Sequence, residues 1–318
     1  MIRSLAFCAA LLVSAASIPS ASIGSAIRPI DFRLSSTSNG RVQLSLMRDD
    51  RGHGDMTTSF GANDLAGLDT AALSQPGGRP IRFALVRQAG RVDCAGNGGN
   101  GRANGQCGFT ASAAFAAMLE SHGIARPSDD EAYALTVVGA TRELVDALAA
   151  HRYPGPDIEQ LIELAAVGVK PQFVNELAAR GYALKSLDDL VEFAALDISP
   201  DYIDGLSRAG YGHLSAEDIG GLKAVGIDPA KIASFAAAGY RNLSVTQLQE
   251  LAALHVTPEF IQGFAGVDYA NLPVDTLVEL KALDVTPDFV RDLERRGLRP
   301  SSAEKLAELK AIGIDDPK

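Results

Sequence analysis

The chain has 318 residues, a formal net charge of −10 and a mean hydropathy of +0.07, which together allow two globular domains. The charge is uneven, since residues 23–109 carry ten arginines, no lysine and seven acids, whereas residues 110–318 carry 18 basic and 32 acidic residues. Because so acidic a half repels phosphates, we expect no nucleic-acid partner.

The N-terminal residues have the order of an export signal. Arg3 precedes the apolar run LAFCAALLVSAAS, and the small residues IPSASIGSA follow. This run is too short to span a bilayer, which takes roughly 20 residues, but it is typical of a secretory signal. We therefore expect residues 1–25 to be a signal peptide, cleaved between Ser22 and Ala26. The mature chain would then be periplasmic or secreted, with no direct insertion into the membrane.

Residues 28–109 predict a small antiparallel β-domain of four to six strands. Apolar and polar residues alternate in RVQLSLM and IRFALV, and turn-forming residues separate these segments. The clearest hairpin is RVDCAGNGGNGRANGQCGF, residues 91–109.

The two cysteines of this hairpin predict a disulfide. Cys8 would be lost with the signal, so only Cys94 and Cys107 remain, and an oxidising compartment favours their pairing. If they face each other, the centre of the hairpin falls between Asn100 and Gly101, and Asn-Gly is a favoured two-residue turn. A turn at Asn97-Gly98 would misalign the cysteines.

Residues 110–318 predict an α-helical solenoid. Six blocks of 29 residues follow one another without insertion or deletion, and a degenerate block precedes them, so we expect about seven repeats. The six blocks are 139–167, 168–196, 197–225, 226–254, 255–283 and 284–312, and the degenerate block is 110–138.

Each block predicts two short helices. The first would begin at a cap followed by proline (Ser199, Asp228, Thr257 and Thr286 are such caps) and end at a glycine in the column Gly181, Gly210, Gly239 and Gly297. The second would begin at Ser186, Ser215, Ser244 or Ser302 and bury residues such as Leu190 and Phe193. Helices of about ten residues are marginal alone, so each repeat needs its neighbour to fold.

Departures from the repeat mark places of interest. Gly220 and Gly221 lie within a second helix, where each glycine lowers helix stability by about 1 kcal/mol relative to alanine. We therefore expect their block to be the weakest joint of the solenoid. Lys231 occupies a column otherwise held by Phe173, Tyr202, Phe260 and Phe289. Asp268 replaces a closing glycine and Pro273 replaces a serine cap. These changes indicate either a surface shaped for a partner or tolerated drift.

The sequence contains no strong catalytic or metal-binding spacing, and we expect no catalytic residue, metal or cofactor. Asp49, Asp50, His53 and Asp55 lie in one loop that could hold a divalent cation or form a charged hairpin tip. His122 and His151 share a column, as expected for solvated helix ends. A column of tyrosines, Tyr153, Tyr182, Tyr211, Tyr240 and Tyr269, predicts packing in which each hydroxyl reaches a carbonyl.

The block VTPEFI…GY…LSVTQLQELAAL resembles helical repeats of uncharacterised exported bacterial proteins. It is also similar to the extracytoplasmic repeat tails of membrane metallopeptidases of the β-lactam-sensor (antirepressor) type, in which a β-rich stretch ending in a cysteine hairpin can precede the repeats. The resemblance runs from about residue 28 onward and implies the module, not an activity. The peptidase domain has no counterpart here, so no catalytic residue carries over.

These features favour a non-catalytic envelope protein whose solenoid binds another protein, such as a membrane-bound regulator. Two alternatives remain: a structural envelope protein, or a ligand-binding or enzymatic site at the seam between the two domains, where His53, Asp55, His122 and His151 would have to meet. The candidate interaction surface is the varying, exposed column of the first helices, namely Asp146, Asn175, Asp204, Gln262 and Arg291.

Overall fold

The computed structural model describes residues 29–48, 56–182 and 184–314. The predicted signal peptide lies outside these residues. The chain divides into two compact units. Of the described residues, the sheet unit contains those up to Val86 together with Arg91–Thr110, and the helical unit contains Arg87–Gly90 and those from Ala111 onward. The predicted α+β class, a small antiparallel β-domain followed by helical repeats, is confirmed.

The sheet unit has seven strands in the order β3-β2-β1-β7-β6-β5-β4, where the sequence predicted four to six. The strands are β1 (Ile30–Ser36), β2 (Arg41–Arg48), β3 (Met56–Gly61), β4 (Leu65–Ala66), β5 (Arg79–Val86), β6 (Gly90–Gly99) and β7 (Arg102–Ala111). The sequence did not predict all of the strands because β4 has only two residues and β3, MTTSFG, has a single buried side chain. Alternation is therefore too weak in both to predict a strand.

One face of the sheet forms the core of this unit. Phe32 and Leu34 of β1 are almost fully buried, and the ring of Phe32 meets that of Phe83 edge to face at a centroid distance of 5.0 Å. Arg33, which lies between them on β1, is exposed. This alternation is what an antiparallel sheet with one solvated face requires. The short helix α1 (Thr70–Ser74) contributes the buried Leu73.

The predicted cysteine hairpin is confirmed. Asn100 and Gly101 take positive φ values of 54° and 77° between β6 and β7, as a turn of this type requires. Cys94 and Cys107 are bonded, with an S–S distance of 2.00 Å and a Cα–Cα distance of 4.0 Å. The disulfide therefore pins the register of the two strands that the turn connects.

The helical unit contains seven helix pairs in the residues described, which confirms the predicted repeats. The helices are α2 (Ala113–Ser121), α3 (Asp129–Val138), α4 (Arg142–Ala150), α5 (Ile158–Ala166), α6 (Pro171–Ala179), α7 (Leu187–Ala195), α8 (Pro200–Arg208), α9 (Ala216–Ala224), α10 (Pro229–Ala237), α11 (Val245–Ala253), α12 (Pro258–Ala265), α13 (Val274–Ala282), α14 (Pro287–Arg295) and α15 (Ala303–Ala311). The odd-numbered helices from α3 to α15 each contact the next, and the even-numbered ones form a second row. Stacking of this kind defines a solenoid.

The predicted helix ends are confirmed. The side chains of Asp228 and Thr286 accept hydrogen bonds from the backbone N–H groups of the third helical residues, and proline follows each cap. The glycines that close the first helices have left-handed backbones, as at Gly239 with φ 99°. Asp268 adopts the same conformation in place of glycine, with φ 65°. Pro273 begins α13 without a side-chain cap, as expected.

The predicted weak joint around Gly220 does not interrupt the hydrophobic core. Ile219 and Leu222 beside it are fully buried in a cluster that runs from α2 to Leu277. A separate cluster begins at Phe264 and continues through α14 and α15. The boundary between the clusters lies around α12 and α13, where the partly buried Phe260 and Leu272 pack against both.

Candidate interaction surface

The column of first-helix residues predicted as an interaction surface faces solvent. Asp146, Asn175, Gln262 and Arg291 are exposed on α4, α6, α12 and α14, and Asp204 on α8 is partly exposed. The helical periodicity places them opposite the buried residues of the same helices, such as Leu144 and Leu148 on α4.

The N-terminal part of this column is bound to the preceding repeat. Three contacts join residues separated by 24 positions, each from the C-terminal end of one first helix to the middle of the next. They are His122 Nε2 to Asp146 Oδ1 at 2.9 Å, His151 Nε2 to Asn175 Oδ1 at 2.8 Å, and Arg180 Nε to Asp204 Oδ2 at 3.0 Å. The shared histidine column thus has a structural role, which sequence analysis did not predict. These side chains are already engaged within the solenoid.

The C-terminal part of the column is not bound in this way. The positions equivalent to His122 are Ala209, Ala238 and Val267, whose apolar side chains cannot bond to the next repeat. Among the described residues, the Gln262 side chain has no hydrogen-bond partner, and Arg291 pairs only with Asp288 of its own helix, at 3.4 Å. Within the part of the chain that the structure describes, the two residues of the column that make no hydrogen bond or ion pair with another repeat are therefore on α12 and α14.

The tyrosine column packs between repeats, as predicted. The hydroxyls of Tyr211, Tyr240 and Tyr269 donate to carbonyls of the following repeat over 2.6–2.7 Å. Burial raises the pKa of each of these phenols above its ordinary value. In these three repeats the hydroxyl holds adjacent repeats together, whereas the Tyr182 hydroxyl has no hydrogen-bond partner among the described residues.

The aromatic column carries a second feature that sequence analysis did not find. Lys223 lies over the ring of Tyr202, Lys281 over Phe260 and Lys310 over Phe289, each with Nζ 5.0 Å from the ring centroid. Where the aromatic residue is replaced by Lys231, the partner position holds Ala252. Because an exposed cation–π contact contributes about 0.5–1 kcal/mol, this pairing stabilises these three helix pairs, and the repeat with Lys231 lacks it.

The second helices carry a glutamate ridge that sequence analysis also missed. The same position in five repeats holds an exposed glutamate, and in one repeat it holds Gly221. The glutamates are Glu163, Glu192, Glu250, Glu279 and Glu308. Applying the 29-residue period to exposed positions of the second helix would have identified them. Four of them have no ion pair among the described residues, whereas Glu308 pairs with Lys305.

The structure describes only some of the acids and histidines that were candidates for a cation site or for a site between the two domains. Asp49, Asp50, His53 and Asp55 lie outside the described residues. Among the residues that are described, no group of three or more histidine, cysteine, aspartate or glutamate side chains is arranged to hold a metal ion. Within the same residues, no helix is long and apolar enough to cross a membrane.

Comparison of the sequence with models of protein families and with curated proteins gave no match.

Proposed function

We propose that this protein is a non-catalytic, exported repeat protein that acts as a protein–protein interaction scaffold in the cell envelope. The observation that carries the proposal is the extended row of first helices. In the exposed column of these helices, Asp146, Asn175 and Asp204 are bonded to the preceding repeat, whereas the Gln262 side chain has no hydrogen-bond partner among the described residues. A partner would therefore contact α12 and α14. The resemblance of the repeats to the tails of membrane metallopeptidases favours a membrane-bound regulator as that partner.

Export is part of the same proposal. The predicted signal peptide would direct the mature chain to the periplasm or out of the cell. The bonded cysteines fit an oxidising compartment, because disulfides are rare where thiols are kept reduced. Fractionation of cells expressing the full chain, with reactive-thiol labelling of each fraction, tests this point. Recovery of reduced, full-length protein in the cytoplasm would contradict export.

The scaffold role is tested by site-specific photo-crosslinking in cells, followed by affinity purification and mass spectrometry. A crosslinker at Gln262 should capture one dominant envelope protein, whereas a crosslinker at Glu250, exposed on the neighbouring second helix, should not. Arg291→Glu should weaken the capture from Gln262. If a folded, abundant protein captures nothing from either position, a structural role in the envelope is the better explanation.

A further inference from the structure

The solvent face of the sheet carries a continuous polar platform. Residues directly opposite each other on adjacent strands point to the same face, so the strand register defines two rows that cross β3, β2, β1 and β7. The rows are Thr57–Ser45–Arg33–Asn104 and Ser59–Gln43–Ser35–Arg102. With strands spaced about 4.8 Å apart, each row is about 15 Å long. Every side chain in it is a hydroxyl, an amide or a guanidinium.

Part of this platform forms the floor of a groove of about 660 Å³. Asn97 of β6 and the turn Gly77–Gly78 also line the groove. The turn is held against the β6–β7 hairpin because the backbone N–H of Asn100 donates to the carbonyl of Gln75 over 2.9 Å. At Gly99 a Cβ atom would lie 2.1 Å from the carbonyl oxygen of Gly77, so only glycine permits this approach. The wall of the groove is thus fixed by backbone contacts.

The charged side chains that line the groove are both positive. Arg33 and Arg102 are exposed diagonal neighbours on β1 and β7, and no aspartate or glutamate lines the groove. In the part of the chain that the structure describes, neither guanidinium has a hydrogen bond or an ion pair. Arg91 of the same sheet, by contrast, pairs with Asp93 at 2.8 Å. Two like charges held side by side repel each other, and an anion bound between them would remove that repulsion.

We propose that this groove binds an acidic saccharide chain, with Arg33 and Arg102 holding its anionic groups and Asn97, Asn104 and Gln43 bonding to its hydroxyls. Arginine suits this role because its planar guanidinium binds carboxylate or phosphate through two parallel hydrogen bonds. This function is additional to the proposed scaffold role, and it belongs to the sheet unit alone.

A protein partner fits this groove less well, for two reasons. The groove lies on a sheet face, where the backbone groups are already paired, so an added β-strand finds no free edge. In addition, the platform side chains include no aromatic or aliphatic group to anchor a protein interface, and such anchors supply most of the affinity of protein complexes. A ligand rich in hydroxyls and negative charge matches the donors that are present.

The experiment is a titration of the full chain with hexagalacturonate, which carries carboxylates, and with maltohexaose, which is neutral. A linear polyphosphate of about six units serves as a third probe, because it has the charge but no sugar hydroxyls. The test variant is R33Q combined with R102Q. The matched control is R82Q, which removes the same charge from an exposed position of β5 outside the groove.

Hexagalacturonate should bind and shift the side-chain amide resonances of Asn97 and Asn104, while maltohexaose should not. The double variant should weaken this binding about tenfold or more, because the loss of one charge-assisted hydrogen bond lowers the affinity by about a factor of ten. R82Q should leave the binding unchanged. Equal binding of maltohexaose, or retained binding in the double variant, would overturn the proposal. Polyphosphate binding as tight as hexagalacturonate would show charge attraction only and overturn the saccharide assignment. The saccharide assignment would also be overturned if the free protein formed a dimer that dissociates in the double variant.

Discussion

The hydroxyl of Tyr240 donates to the carbonyl oxygen of Leu272, 32 residues later, over 2.6 Å. Tyr240 follows a first helix, and Leu272 precedes the second helix of the next repeat. The bond therefore joins two repeats directly. The same contact recurs at Tyr211 with Leu243.

Removing this hydroxyl should weaken the joint. We expect Tyr240→Phe to lower the free energy of unfolding by about 1 kcal/mol, because the Leu272 carbonyl loses a partly buried partner. Urea denaturation measures the change. Tyr182→Phe is the matched control, since the Tyr182 hydroxyl has no hydrogen-bond partner among the described residues. Equal effects of the two substitutions would mean that the bond to Leu272 contributes nothing.

The helical unit should lose stability at alkaline pH. Burial, followed by the charge of Asp228, raises the pKa of Tyr202 from 10.0 to about 12. Between these values the unfolded chain releases the phenolic proton while the folded chain keeps it, so stability is full below pH 10.0 and is lost as pH rises through about 12. The measurement is urea denaturation as a function of pH. Tyr202→Phe should reduce the slope above pH 10.0, and an unchanged slope would contradict this assignment.

Substitution by alanine should have opposite effects on stability at two helix glycines. A Cβ on Gly263 would lie 2.6 Å from Cγ of Pro287 in the next repeat, whereas one on Gly221 would meet only the mobile end of Gln249. Gly263→Ala should therefore destabilise by about 1–3 kcal/mol through overpacking. Gly221→Ala should stabilise by up to about 1 kcal/mol through helix propensity. Thermal unfolding measures both, and stabilisation by Gly263→Ala would show that Pro287 moves freely.

A different N-cap residue should increase the stability of α6. Lys170 precedes Pro171 but provides no side-chain hydrogen bond to α6, whereas Thr286 caps α14 at the equivalent position. Lys170→Thr should stabilise by about 1 kcal/mol, and Thr286→Ala should destabilise by a similar amount. Chemical denaturation of both variants tests the pair. A loss of stability in Lys170→Thr would indicate that the lysine has a role beyond the cap.

Breaking the disulfide should affect the sheet unit and spare the helices. The bond closes a loop with a sequence separation of 13, and its removal by Cys94→Ser with Cys107→Ser should cost about 3 kcal/mol. Hydrogen exchange, followed separately in β6 and in helices such as α9, would report each unit. Equal loss of protection in both units would mean that they unfold together.

The local features of this fold could be predicted because their causes are local. The sequence alone determined the 29-residue period, the helix caps such as Asp228, and the Asn100–Gly101 turn that aligns Cys94 with Cys107. Each depends on residues within a few positions of one another, where backbone preference and hydrogen bonding act directly. The candidate column from Asp146 to Arg291 followed from the same helical periodicity.

Only the tertiary structure decided which of these residues are free. Periodicity places Asp204 and Gln262 in one column, but it does not reveal that Arg180 binds the first while Ala238 leaves the second without a partner. The same holds for the groove, because the position of Arg33 beside Arg102 depends on the pairing of β1 with β7, which are the first and last strands in the sequence but neighbours in the sheet. Contacts between residues far apart in the chain depend on register and packing, which no short stretch of sequence specifies.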